Sequence, residues 1–289
     1  MRFPHCPCAV VRGEGIGHDG RMTFPLKPLF AAAALIALAA PIAIFARAAQ
    51  ANAQDDPVVP YVPTPETVVE GMLDMAKVQP GERLVDLGSG DGRIAIAAAK
   101  RGARAMGVEL NPRLVSRARI NAEMAGQKDN ARFVRDDLFA VSLREADVVT
   151  LYLLPQINEK LRPKLLTEMR PGTRVVSHAF DMGDWPPDAY ERIAEKNVYL
   201  WTIPAVAGGE WRLVRGDGSA AVLNIEQRYS RITGTLGGST IGAARLQGDR
   251  LSFDADGVSY RGQVGDRTIT PDPQAPATAA SGWRAERID

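Results

Sequence analysis

The stretch VDLGSGDGR (residues 85–93) packs Asp86, Gly88, Ser89, Gly90, Asp91 and Gly92 into one short span. An apolar run ending in glycines reads as a buried strand leading into a turn whose backbone N–H groups face a ligand. The ligand is not a dinucleotide held by G-x-G-x-x-G, because the third glycine comes one place early. No G-x-x-x-x-G-K-[ST] loop is present either. Asp86 before the turn and Asp91 within it suit an amine and hydroxyls better than a pyrophosphate. Glu109 ends a second strand and is placed to accept from ribose hydroxyls. Asp136-Asp137-Leu138 follows a third strand, in position to meet a purine amino group. Such an acidic set fits a cationic sulfonium nucleoside.

The elements that must carry these residues alternate. Thr64 is expected to N-cap a helix, with Pro65 at its first position and Val68, Val69, Met72, Leu73 and Ala76 on one face. A strand from Arg83, a helix at 94–100, a strand at 105–109 and a helix opened by Asn111-Pro112 follow. Strands at 131–135, 146–152 and 174–180, with a helix at 156–169, continue the series. Strands alternating with helices imply a parallel sheet covered on both faces. Residues 197–203 and 210–214 read as an antiparallel pair at its edge. Beyond Gly216 the helical pattern stops. Short alternating stretches between Gly-Asp, Gly-Gly and Asp-Gly turns predict a β meander or partial barrel, with 278–282 as a loop before a last strand at WRAERI.

The amino terminus has a different composition. Residues 29–46 (LFAAAALIALAAPIAIFA) are uncharged, follow Lys27 and precede small residues that include Ala51-Asn52-Ala53. This pattern predicts a cleaved signal peptide, with an uncleaved membrane anchor or a buried helix as alternatives, and Met22 as a possible start. Charge on the near side places the body in the cell envelope, without excluding a cytoplasmic-face orientation. The expected organisation is therefore a leader at 1–53, an α/β domain at 54–216 and a small β-rich domain at 217–289.

Both cysteines and two of the three histidines fall in the leader, leaving His178 alone in the body. That removes thiol chemistry, a disulfide framework and a Cys/His zinc site, and no metal is expected. No G-x-S-x-G elbow accompanies His178, which argues against a serine hydrolase. His178 lies on a predicted buried strand and reads as a hydrogen-bonded core histidine. A net charge of +1 without a long basic run gives no case for nucleic acid.

The ordered set of glycine turn, acidic second-strand end and Asp-Leu after the third strand resembles class I, seven-stranded S-adenosylmethionine-dependent methyltransferases with a Rossmann-like sheet. PYVPT (60–64), LVDLGSGDGRIAIAAAKRGARAMGVELNP, LYLLPQ and HAFDMGDWPPD narrow the likeness. Together they look like the protein-lysine methyltransferases of ATP synthase subunit c and the adenine nucleotide translocase. The resemblance implies S-adenosyl-L-methionine as cofactor, with Asp86 serving its amino group, Glu109 the ribose and Asp137 the adenine. Gly88, Ser89, Gly90, Asp91, Gly92, Asn111 and Leu138 would complete that site, and Tyr61 and Thr64 would cap it.

Residues 152–156 would line a lysine channel, with Tyr152 the candidate catalytic residue. The implied substrate is a protein, with a small membrane protein as the expected kind, reached through the apolar leader if that is retained. A small-molecule or lipid methyltransferase, or an exported nucleoside-binding module without turnover, are the alternatives. Tyr152, His178-Ala179 and the β-rich tail depart from the family pattern.

Overall fold

Seven strands build the first sheet: β1 (Arg83–Leu87), β2 (Arg104–Glu109), β3 (Ala131–Arg135), β4 (Val148–Leu151), β5 (Arg174–His178), β6 (Ala189–Ile193) and β7 (Lys196–Thr202). Their order is β3-β2-β1-β4-β5-β7-β6, and β7 alone runs against the rest. The computed structural model describes residues 61–276 and 280–288. The expected leader (1–53), Pro60 of the PYVPT segment and Thr278 lie outside the described residues. Val59–Asp289 forms one compact unit.

Helices α1 (Glu66–Met75), α2 (Arg93–Lys100), α3 (Pro112–Met124) and α4 (Pro155–Glu168) cover the sheet. The central strands β1, β4 and β5 are buried on both faces, so their adjacent residues serve different cores. Leu84, Val148 and Val176 pack with Met72, Ile94 and Ala118 of α1, α2 and α3. Their chain neighbours Val85, Val149 and Val175 pack with Ile157, Leu161 and Leu165 of α4. Each such fully buried aliphatic contributes about 1.5–3 kcal/mol. This two-sided packing fixes the strand register, and with it the carboxyl edge where the loops carrying the candidate residues emerge.

Three local expectations are corrected. Pro65, not Thr64, is the N-cap of α1, and its carbonyl accepts from Val68 and Val69. Thr64 is buried, and its hydroxyl lies 3.1 Å from His178 Nδ1 instead of capping. The edge partner of β7 is β6, which sequence reading passed over because AYERI is mostly exposed and weakly apolar. Residues Gly209–Val214 form β8, which pairs with β9 and β16 in the second sheet and not with β7.

That second sheet is antiparallel and has nine strands. β8 is joined by β9 (Ala220–Arg228), β10 (Arg231–Leu236), β11 (Ser239–Thr240), β12 (Gly242–Gln247), β13 (Arg250–Ala255), β14 (Val258–Val264), β15 (Thr268–Pro271) and β16 (Arg284–Arg287). Its two end strands, β11 and β12, are separated in the chain by Ile241 alone, whose N–H donates to Gly234. A sheet whose ends are chain neighbours must curl round on itself, giving the expected barrel-like shape. Trp211, Leu223, Ile225, Phe253, Tyr260 and Trp283 fill its interior.

Candidate functional site: a donor pocket beside an aromatic wall

The turn after β1 is held by its neighbour strand. Gly88 and Ser89 N–H both donate to Val108 O, and Gly90 N–H donates to Glu109 Oε2 at 3.0 Å. Asn111 N–H binds the other Glu109 oxygen at 2.8 Å, so this carboxylate is aimed by two backbone donors at the end of β2. Gly88, Gly90 and Gly92 have φ of 75°, 53° and 84°, a region that favours glycine. A Cβ on Gly90 would also sit 2.6 Å from Tyr61 Cε2. The Tyr61 ring therefore lies directly over the turn.

Asp86 is buried at the end of β1. Its Oδ1 accepts from Thr150 Oγ1 at 2.8 Å, a pairing set by register, since Asp86 and Thr150 are neighbours across β1 and β4. Its Oδ2 has no hydrogen-bond partner, and neither does the buried Ser89 Oγ. Burial pushes the Asp86 carboxyl up to about 7, against the Thr150 hydrogen bond and with help from the charges of Glu109 and Asp91. A buried, unpartnered carboxylate oxygen and an orphan hydroxyl beside a glycine cradle match an ammonium and nucleoside hydroxyls.

Asp91 works differently. Arg93 grips it with Nε at 3.0 Å and Nη2 at 2.7 Å, and donates its Nη1 to Thr64 O at 2.8 Å. Burial raises the Asp91 carboxyl, but the Arg93 fork outweighs it and holds the group below its ordinary value. Asp91 thus braces the turn against the 61–64 segment through Arg93, a partner the sequence reading did not single out. Asn111 Oδ1 caps α3 by accepting from Arg113 N–H. Asp137 is exposed, with Oδ1 accepting from Phe139 N–H, and Leu138 packs against the α4-side core.

On the other side of β1, Tyr152 follows β4 directly. Its ring centroid lies 3.9 Å from that of His178 and 6.4 Å from Phe180, forming one aromatic wall. His178 is buried, as expected, with Nδ1 at Thr64 and Nε2 without a partner. Burial, helped by the nearby Lys196 charge, lowers its pKa to about 4, so the imidazole is neutral at physiological pH.

The next residue, Ala179, has φ of 69°, and Phe180 N–H bonds back to His178 O. This is a γ-turn of the strained hand. Ser177 Oγ and Asn158 Nδ2 clamp it by donating to Phe180 O, and Asn158 also donates to Asp181 O. Thr150, Asn158 and Ser177 carry no motif, and their roles come only from register and helix packing.

A family model described as ANTKMT methyltransferase domain matches residues 86–189. A protein-lysine N-methyltransferase of Saccharolobus islandicus is 46% identical over 153 residues, covering 51% of this chain and 95% of that protein. The adenine nucleotide translocase lysine N-methyltransferase of Mus musculus is 46% identical over 152 residues, with 52% of this chain and 65% of that protein covered. A crystal structure of an RNA methyltransferase from Salinibacter ruber with S-adenosyl-L-homocysteine is 54% identical. It covers 49% of this chain and 94% of that one, at a TM-score of 0.49. The chain belongs to the protein-lysine N-methyltransferases that use S-adenosylmethionine, and its residues 86–189 match the ANTKMT methyltransferase domain.

Proposed function

We propose that this methyltransferase modifies a lysine ε-amine of a small membrane-associated protein. The observation that carries the lysine reading is the neutral aromatic wall of Tyr152, His178 and Phe180 beside the pocket of Asp86. S-adenosylmethionine, when bound, supplies an electrophilic methyl carbon. Asp86 holds the ammonium end, Glu109 the ribose and Asp137 the adenine, while Tyr61 shields the turn from water. An acceptor ammonium, with an ordinary pKa of about 10.4, must give its proton to solvent before the amine takes the methyl carbon and S-adenosylhomocysteine leaves. Uncharged rings in a dry channel favour the neutral amine by desolvation. The Tyr152 hydroxyl orients that amine, and in-line alignment contributes most of the remaining rate.

Support for the membrane-associated target comes from the mouse relative, named for the adenine nucleotide translocase. The uncharged stretch at 29–46 supports work at the cell envelope. The full chain should be incubated with methyl-labelled S-adenosylmethionine and a solubilised membrane fraction. Label on lysine of a small protein is expected. Label confined to a solvent extract would mean a lipid or small-molecule acceptor, and no transfer despite S-adenosylhomocysteine binding would mean a binding module.

A further inference from the structure

The tight turn between β9 and β10 carries a tyrosine where glycine or asparagine would be relaxed. Tyr229 has φ of 57°, an outlying conformation for a bulky aromatic. Its side chain leaves the barrel and engages the loop after β5. The hydroxyl lies 3.0 Å from Asp184 Oδ1, and the ring stacks at 5.7 Å on the buried Trp185. The Arg162 guanidinium of α4 also sits over the ring, 5.5 Å from its centroid. Arg228 reaches Asp184 Oδ2 at 2.6 Å, and Arg162 donates to both Asp184 Oδ1 and Met182 O at 2.6 Å. Asp184 thus gathers two guanidinium groups and a phenol, one guanidinium from α4 and the rest from the barrel.

The loop held this way, 181–187, continues from Phe180 of the aromatic wall and leaves the sheet at the same carboxyl edge as the glycine turn. Backbone strain retained at one residue, with that residue's side chain spanning two parts of the fold, points to a use for the side chain. We propose that the barrel is a positioning module for the acceptor side of the site: Tyr229 and Arg228 fix the 181–187 loop, and so the wall that receives the acceptor, without touching the donor pocket. Tyr229 is a positioning residue, and the consequence for acceptor recognition rests on the methyl-transfer reading above.

The test compares full-length wild type, Tyr229→Gly and Tyr229→Phe. Tyr229→Gly relieves the strained φ while removing ring and hydroxyl, so a residue that merely closes the turn would give an unchanged or more stable protein. The amides to follow are Gly183, bonded to Asp181 Oδ1, and Trp185, bonded to Met182 O. In Tyr229→Gly their hydrogen exchange should quicken by about tenfold while the 88–92 turn stays protected. S-adenosylhomocysteine affinity should stay within about twofold, and KM for a lysine-bearing protein should rise by about tenfold with kcat nearly kept. Tyr229→Phe should recover most of both effects, because the ring stack remains.

Unchanged exchange and unchanged KM in Tyr229→Gly would overturn the proposal. Should that variant fail to fold, Tyr229→Asn, which also tolerates the left-handed φ and also removes ring and hydroxyl, is read identically. A wild type that methylates no lysine would sink the functional reading, while the exchange measurement would still decide the clamp.

Discussion

On the donor side of β1, Asp86 and Ser89 keep buried polar atoms without protein partners, and Glu109 is aimed by two backbone N–H groups. On the other side, the rings of Tyr152 and Phe180 meet the neutral His178 imidazole, behind a strained γ-turn that Asn158 and Ser177 hold. The donor pocket leaves hydrogen-bonding capacity for a charged, hydroxyl-rich molecule. The acceptor wall is braced internally and offers a surface that disfavours charge. On the proposed assignment, the difference would let one sheet edge bind a cation and, a strand away, favour the loss of a proton from another. Burial disfavours charge at both Asp86, whose carboxyl is driven up to about 7, and His178, whose imidazole is driven down to about 4, so the two sides differ in the unpartnered carboxylate oxygen that a cation could satisfy.

The sharpest way to break the comparison is Asp86→Asn. S-adenosylhomocysteine affinity should fall by about 100-fold, because a buried charge-assisted contact is lost. Above neutral pH the same change should raise Tm slightly, since a desolvated carboxylate is removed. Calorimetry and thermal unfolding read the two effects, and a variant that binds normally would remove Asp86 from the donor site. Gly90→Ala comes next. The added Cβ would meet the Tyr61 ring at 2.6 Å with φ at 53°, so stability should drop by about 1–2 kcal/mol and donor affinity with it. Normal melting and normal binding in that variant would show that the turn tolerates a side chain.

His178 sharpens the acceptor half through pH. Its folded pKa lies below the ordinary imidazole value, so the unfolded state takes up the proton first. Stability is therefore lost as pH falls from about 6.5 to about 4, by up to about 3 kcal/mol. Asp86, with a raised pKa, loses stability in the opposite direction, as pH rises towards about 7. His178→Gln isolates the first effect: its Tm should gain on the wild type as pH drops from 7 to 5, and parallel curves would contradict the account. The smallest effect is expected for Tyr152→Phe. The ring that stacks on His178 remains, so kcat should fall by about threefold or less, far less than in Tyr152→Ala.

The structural frame of the proposed donor half was legible in the sequence because its signals are local. Asp86, the glycine turn and Glu109 declare themselves by type and by their place at strand ends, and two-period and 3.6-period patterns locate those strands and helices. Thr150 was not legible, because its bond to Asp86 depends on the register of β1 with β4. Thr64 reads as an N-cap from its place before Pro65, yet its hydroxyl meets a histidine 114 positions away. The exposed β6 carries too few apolar residues to signal a strand, and Glu210–Val214 carries no mark of which sheet it joins. Contacts made through long-range packing leave no spacing to read.

The claim that an unpartnered, buried Asp86 carboxylate anchors the methyl donor is tested most directly by titrating S-adenosylhomocysteine into wild type and Asp86→Asn at pH 6 and pH 8. With Asp86 titrating near 7 in the free protein, wild-type affinity should tighten by about tenfold from the lower to the higher pH, while the variant stays weak and flat. A wild type with no pH dependence, or a variant that keeps it, would contradict the account.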